Sequence, residues 1–222
     1  TKPFSINIFR AYIDNDREVK KQWEKFVDYK QVLDKVETTE HSTIYSGRLV
    51  KNCLQPILHY TITITPFANG IDLQFDYTVA DYIDYLPRIG LEFAIDKGYQ
   101  SFSYYGYGPY ESYIDKHVAS DFGEYYTTAQ YNFTDYLMPQ ETGSHFGSTK
   151  LTINDVMTIT ATQPFSFSVL PYSTTELENA KHNFELKKSN ATYINLDIAM
   201  SGVGSNSCGP MLDKKYRAPK CG

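Results

Sequence analysis

Residues 58–79 carry the strictest pattern in the chain. Leu58, Tyr60, Ile62 and Ile64 alternate with His59, Thr61, Thr63 and Thr65. After a turn at 66–70, Ile71, Leu73, Phe75, Tyr77 and Val79 alternate with Asp72, Gln74, Asp76 and Thr78. A period of two sorts these side chains onto two faces of an extended chain, whereas a helix would scatter them around its axis. Two such runs at hairpin distance predict an antiparallel pair. The same alternation marks 4–8, 88–95, 150–153, 157–161, 165–169 and 193–198, most of them bounded by turn residues. Repeated short strands with few helices predict an all-β antiparallel sandwich or barrel. Composition agrees: 20 Tyr and 13 Phe against one Trp favour strands, because tyrosine has an apolar body that packs on a sheet and a polar tip.

Two short helices are expected. Val19, Trp23, Phe26 and Val27 recur at helical spacing over 17–30, and a second helix over 174–182 is capped by Ser173 or Thr174, with Leu177 and Ala180 turned inward. Two polar-aromatic segments, 103–115 and 136–143, are rich in Gly and Pro and read as loops, and the tail 213–222 reads as frayed. At 222 residues without repeat or linker, the expectation is one β-sandwich domain over 1–222. Phe4, Ile6 and Ile8 alternate almost from the first residue, so the chain is expected to be part of a longer polypeptide.

The net charge of -5 argues against nucleic acid and against an anionic membrane surface, both of which want a basic face. No apolar run approaches the roughly 20 residues of a membrane helix. Cys53, Cys208 and Cys221 are scattered and odd in number, which suits reduced thiols in a cytoplasm.

Strand 193–198 delivers Gly202-Val203-Gly204-Ser205-Asn206-Ser207-Cys208-Gly209-Pro210, a loop whose backbone can approach a ligand closely. The five histidines lack metal-ligand spacing. Asp14-Asn15-Asp16 offers oxygen donors to a hard cation, but Arg17 at the next position departs from a calcium loop. Glu111 and Glu141 lie in tyrosine-bearing loops and are candidates either for acid–base work or for bracing backbone amides.

Four ordered blocks then converge. Arg10-Ala11-x-x-Asp14-Asn15-Asp16 and Gly106-x-Gly108-Pro109-x-Glu111-x-Tyr113-x-Asp115 come first. Tyr136-x-x-Pro139-Gln140-Glu141-x-Gly143 follows, and Asn195-Leu196-Asp197 with Gly202-x-Gly204-x-x-Ser207-Cys208-Gly209-Pro210 closes the set. Together they resemble the C-terminal domain of LacZ-type β-galactosidases of glycoside hydrolase family 2, a domain that in some lactic acid bacteria is a separate small subunit. The resemblance implies an antiparallel β-supersandwich of galactose mutarotase type, here N-terminally truncated. It implies a partner, the catalytic TIM-barrel portion or large subunit, which carries both catalytic glutamates and the Mg and Na ions, while this chain completes the active-site mouth and the subunit contacts of an oligomeric holoenzyme. Glu111 and Glu141 then shape loops. Asn206, Ser207 and Cys208 are implied to touch the galactoside, Cys208 standing where other members place a sugar-stacking tryptophan. Arg10, Asp14, Asn15 and Asp16 are implied to belong to a loop at the active-site mouth. Two other functions compete: a stand-alone carbohydrate-binding module using the tyrosine segments, and a mutarotase-like enzyme pairing His145 with Glu141.

Overall fold

The computed structural model describes residues 2–51, 55–204 and 211–222. In chain order the elements are β1 (Lys2–Asn7), α1 (Arg17–Trp23), β2 (Lys30–Thr38), β3 (Thr43–Lys51), β4 (Gln55–Phe67), β5 (Gly70–Val79) and β6 (Arg88–Asp96). They continue with β7 (Ser101–Gly108), β8 (Asp121–Thr128), α2 (Ala129–Asn132), β9 (Ser144–Ile153), β10 (Met157–Leu170), α3 (Thr174–Asn179) and β11 (Ala191–Met200). The strand ladders are antiparallel, in keeping with the all-β expectation. Among the described residues no helix is long and apolar enough to cross a membrane.

Contacts gather the chain into two units: Thr1–Lys20 with Leu86–Ala218, and Lys21–Tyr85 with Pro219–Gly222. The second unit holds the four-stranded sheet β2-β3-β4-β5. The alternating runs at 58–79 form its β4–β5 hairpin, with Ile62 opposite Phe75. Its two ends meet where the Trp23 indole N–H donates to the Tyr85 carbonyl at 2.9 Å. The chain's last residues are not frayed. Gly222 O accepts from Tyr77 N at 2.8 Å and Lys220 O from Val79 N at 2.7 Å, extending the ladder beyond β5. Backbone pairing of this kind leaves no side-chain pattern, so composition alone missed it.

The first unit holds a seven-stranded sheet in the order β1-β6-β11-β10-β9-β7-β8. One face carries an apolar core of Phe93, Phe102, Tyr104, Leu151, Phe167 and Ile194 with their neighbours. Each fully buried Phe or Leu of this kind contributes about 1.5–3 kcal/mol. Three elements differ from expectation. Residues 101–108 form β7 rather than a loop, because Phe102 and Tyr104 point into this core while Ser103 and Tyr105 alternate outward. The runs 157–161 and 165–169 are one strand, β10, whose register breaks between Thr160 and Phe165. Pro164, with no N–H to give a ladder, sits in that break. The first helix stops at Trp23, and Asp28 adopts a left-handed φ of 67° before β2 begins.

The largest departure concerns β11. Its alternation predicts a strand with one wet face, yet Asn195 and Asp197 are 3% and 1% exposed, as buried as Ile194 at 0%. The polar face is satisfied internally. Asn7 Nδ2 donates to Asn195 Oδ1 at 2.8 Å, and Asn195 Nδ2 donates to Ser168 Oγ at 3.2 Å. Asp197 enters the ion network described next.

Candidate functional site

Asp14–Asp16 forms a single 3-10 turn, closed by Asp16 N donating to Ile13 O at 3.0 Å and by Ile13 N donating to Asp16 Oδ2 at 3.2 Å. That turn aims Asp16 back at Arg10, whose Nη2 lies 2.8 Å from Asp16 Oδ1. The Arg10 guanidinium also donates to Ser201 O at 2.8 Å and Gly202 O at 3.1 Å. Asn15 reaches the next two residues, its Nδ2 donating to Val203 O at 2.9 Å and Gly204 O at 3.2 Å. From the opposite side Asp115 accepts Val203 N on Oδ1 at 3.0 Å and Gly204 N on Oδ2 at 2.8 Å. The first block and the closing signature therefore meet through backbone groups. Residues 201–204 have their carbonyls held by Arg10 and Asn15 and two of their amides held by Asp115.

The glycines here have physical reasons. A Cβ on Gly202 would lie 2.5 Å from Asp115 Cγ, and Gly204 takes a φ of +87°, the left-handed region that penalises any Cβ. Ser201 fixes the base of the segment: its Oγ donates to Leu86 O at 2.7 Å and accepts Ala218 N at 2.9 Å.

Beside this segment opens a cavity of about 470 Å³ lined in part by Asp14, Asn15, Glu111, Asp115, Tyr136 and Glu141. Glu111 is saturated with donors: the Tyr136 hydroxyl in a short hydrogen bond, Lys116 Nζ at 3.0 Å and Gly143 N at 3.0 Å. Burial alone would raise its pKa, but the Tyr136 hydrogen bond, the Lys116 charge and the Gly143 amide outweigh it and hold the carboxyl below its ordinary value. Glu111 is thus an ionised brace between two loops. Tyr136 is raised by burial and by the same bond.

Glu141 faces the other way. Arg88, fully buried at the start of β6, donates from Nη2 to Glu141 Oε1 at 2.9 Å and to Asp197 Oδ2 at 3.1 Å, with its Nε 3.0 Å from Asp197 Oδ1. Burial works against the Arg88 charge, and Asp197 and Glu141 more than offset it, so its pKa is raised. The carboxyls outnumber the guanidiniums in this cluster: Asp16, Glu141 and Asp197 against Arg10 and Arg88. Burial, with Glu141 nearby, accordingly pushes Asp197 up to about 7 despite Arg88. Glu141 is raised by burial too, against the pull of Arg88 and Arg10.

Of the residues the sequence singled out, Asp14 and Asn15 line the cavity, while Arg10 and Asp16 are buried behind it. Asn206, Ser207 and Cys208 lie outside the described residues, as does Cys53. Asp16 is committed to Arg10 and Asn15 presents its N–H group to carbonyls, an arrangement unsuited to gripping a cation. His145 and Glu141 are not paired. The two His145 ring nitrogens contact Tyr107 O at 3.1 Å and Asn132 Oδ1 at 2.7 Å, and burial pushes its pKa down to about 4. Sequence reasoning gave no role to Asp115, Arg88 or Asp197. For Asp115 a signal existed: successive amides around a Gly-x-Gly need an acceptor, and a carboxylate with two oxygens is the natural one.

Comparison with known proteins identifies the family. The family model described as beta galactosidase small chain matches residues 2–221. The β-galactosidase of Actinobacillus pleuropneumoniae is 38% identical over 231 residues, covering 97% of this chain and 22% of that protein. That of Staphylococcus xylosus is 36% identical, covering 95% and 22%, and that of Kluyveromyces lactis 32%, covering 96% and 22%. The chain spans about 22% of the length of these curated relatives. With its ordered blocks meeting around one cavity and nearly its whole length matched, the chain belongs to the β-galactosidase small chain family.

Proposed function

We propose that this chain is the C-terminal or small-subunit portion of a β-galactosidase of glycoside hydrolase family 2, LacZ type, and that it completes the active-site mouth without performing the chemistry. The enzyme hydrolyses terminal β-D-galactosides such as lactose with retention, using two glutamates on a TIM-barrel portion outside this chain: one acid/base, one nucleophile. The Mg and Na ions belong to that portion, and the assembled enzyme is a cytoplasmic oligomer. The family match supports this reading, and one observation carries the role within it. Arg10, Asn15 and Asp115 hold 201–204 at the cavity edge, and on this reading that fixed base serves Asn206, Ser207 and Cys208, which follow in the sequence. A fixed base is what a ligand-contacting loop needs if its geometry is not to be paid for on each binding event.

The cavity's own carboxylates fit a binding and bracing role. Glu111 is held ionised by three strong donors and Glu141 is clamped by Arg88, so neither is a free acid poised beside a free base. The test is turnover of nitrophenyl-β-galactoside. The purified chain alone should be silent, and activity should appear when the catalytic portion is supplied. Robust hydrolysis by this chain by itself would overturn the proposal.

A further inference from the structure

The outward face of β7 and β8 carries a row of aromatic rings that the cavity does not use. Tyr105 is 44% exposed, Phe122 47% and Tyr126 73%. Phe122 stands opposite Tyr107 in the ladder, with ring centroids 5.3 Å apart, and its edge meets Tyr105 at 5.0 Å. Tyr107 stacks on Phe146 at 6.0 Å and touches the His117 ring at 4.9 Å. Rings in mutual contact hold one another in place, so the surface they present costs little ordering when something lies on it.

The row is contiguous with the cavity. His117 Nδ1 contacts Tyr113 O at 2.9 Å, and Lys116, beside it in sequence, lines the cavity and reaches Glu111. The segment 113–117 is thus the wall shared by cavity and row. The register adds charge of both signs: Tyr105 lies opposite Glu124 on β8 and opposite Lys150 on β9, and both of these are exposed. Neighbouring strands are about 4.8 Å apart, so an acceptor and a donor flank the phenol ring at a separation on the order of 10 Å. That is the span of one pyranose with a hydroxyl hydrogen-bonded at each side. A pyranose presents a face of C–H groups to the electron-rich ring and hydroxyls at its rim. A charged peptide would meet one attractive and one repulsive neighbour here.

We propose that Tyr105, Phe122 and Tyr107, with Glu124 and Lys150, form a saccharide-binding surface that runs outward from the cavity rim and receives the distal sugars of extended neutral galactosides. This rests on the reading of the cavity as part of a galactosidase mouth, and it selects oligosaccharide substrates over small-aglycone ones.

The complete enzyme containing this portion is prepared as wild type, Tyr105→Ala and Lys150→Met. Each is assayed on nitrophenyl-β-galactoside and on a β-galactosyl-terminated tetrasaccharide, and binding of the tetrasaccharide is measured separately by calorimetry. Tyr105→Ala should raise KM for the tetrasaccharide roughly tenfold and leave nitrophenyl-β-galactoside within twofold. Lys150→Met, which removes a hydrogen-bond donor without touching a packed ring, should shift KM the same way by less. Equal losses on both substrates, no loss on either, or a change in the enzyme's assembly state would overturn the inference, the last showing that protein covers the face. Tyr105-dependent calorimetric binding without any hydrolysis would instead sink the galactosidase reading while leaving the surface intact.

Discussion

Replacing Asp115 by Ala removes the acceptor that fixes Val203 N and Gly204 N, which it meets at 3.0 and 2.8 Å. Hydrogen bonds to a charged group contribute about 1.5–3 kcal/mol each. Asp115 is only partly buried, so water can replace some of the lost contact, and the lower end applies: about 2–3 kcal/mol for the pair. Arg10 and Asn15 still hold the carbonyls of 201–204, so the loss is local and the fold survives. A cost of about 2 kcal/mol lowers the equilibrium constant for the seated segment roughly 30-fold. The assay is steady-state hydrolysis of nitrophenyl-β-galactoside by the complete enzyme. Asp115→Ala should lower kcat/KM by up to about 30-fold, chiefly through KM, since the proposed function puts the chemical groups outside this chain. Asp115→Asn keeps one acceptor but sets an amide N–H against the second backbone amide, so it should be no better than Ala despite its nearly identical size. KM and kcat within twofold of wild type for Asp115→Ala, or full activity for Asp115→Asn, would refute the argument that this carboxylate seats the loop.

Three further outcomes are expected. Gly202→Ala drives a methyl to 2.5 Å from Asp115 Cγ and should destabilise by about 1–3 kcal/mol. In the Asp115→Ala background that cost should shrink, and a thermal-melt double-mutant cycle showing strict additivity would contradict the contact. Burial raises Asp197 to about 7, so its contribution to stability is fully present below its unfolded value and is lost as pH rises through about 7. Asp197→Asn, shaped like the neutral acid, should therefore have a melting temperature near wild type at about pH 4, at the unfolded value. Its difference from wild type should change between pH 5 and 8, and a pH-independent difference would show Asp197 ionised throughout. Deleting 219–222 removes the bonds from Tyr77 N and Val79 N and should lower the melting temperature measurably, and unchanged melting would mean that this ladder contributes nothing.

The strands were legible where one face is apolar and the other wet. The β4–β5 hairpin follows directly from alternation, and the cap of α3 from Ser173, whose Oγ accepts Glu176 N at 3.1 Å. Legibility failed where the backbone carries the information. The Gly222–Tyr77 pairing has no side-chain signature, and β7 was hidden by its glycines although Phe102 and Tyr104 alternate correctly. Asp197 looked like an ordinary outward residue because a single strand does not reveal that Arg88, 109 positions away, is buried against it. In the site, residue types suggested that Glu111 braces backbone amides, and its bond to Gly143 N bears that out. The pairing of Asn15 and Asp115 with 203–204 joins segments 88 or more positions apart, a distance over which only a fold communicates.

The second unit departs from the first after Lys20 and hands the chain back at Leu86, returning only for the final four residues. Its two main ends are pinned to each other by Trp23 and Tyr85, with ring centroids 5.4 Å apart. Each side chain named around the cavity belongs to the first unit. The four-stranded sheet therefore behaves as a cassette spliced into the chain. Its hairpins β2–β3 and β4–β5 can be lengthened or trimmed while the sequence that supplies the named cavity side chains stays the same.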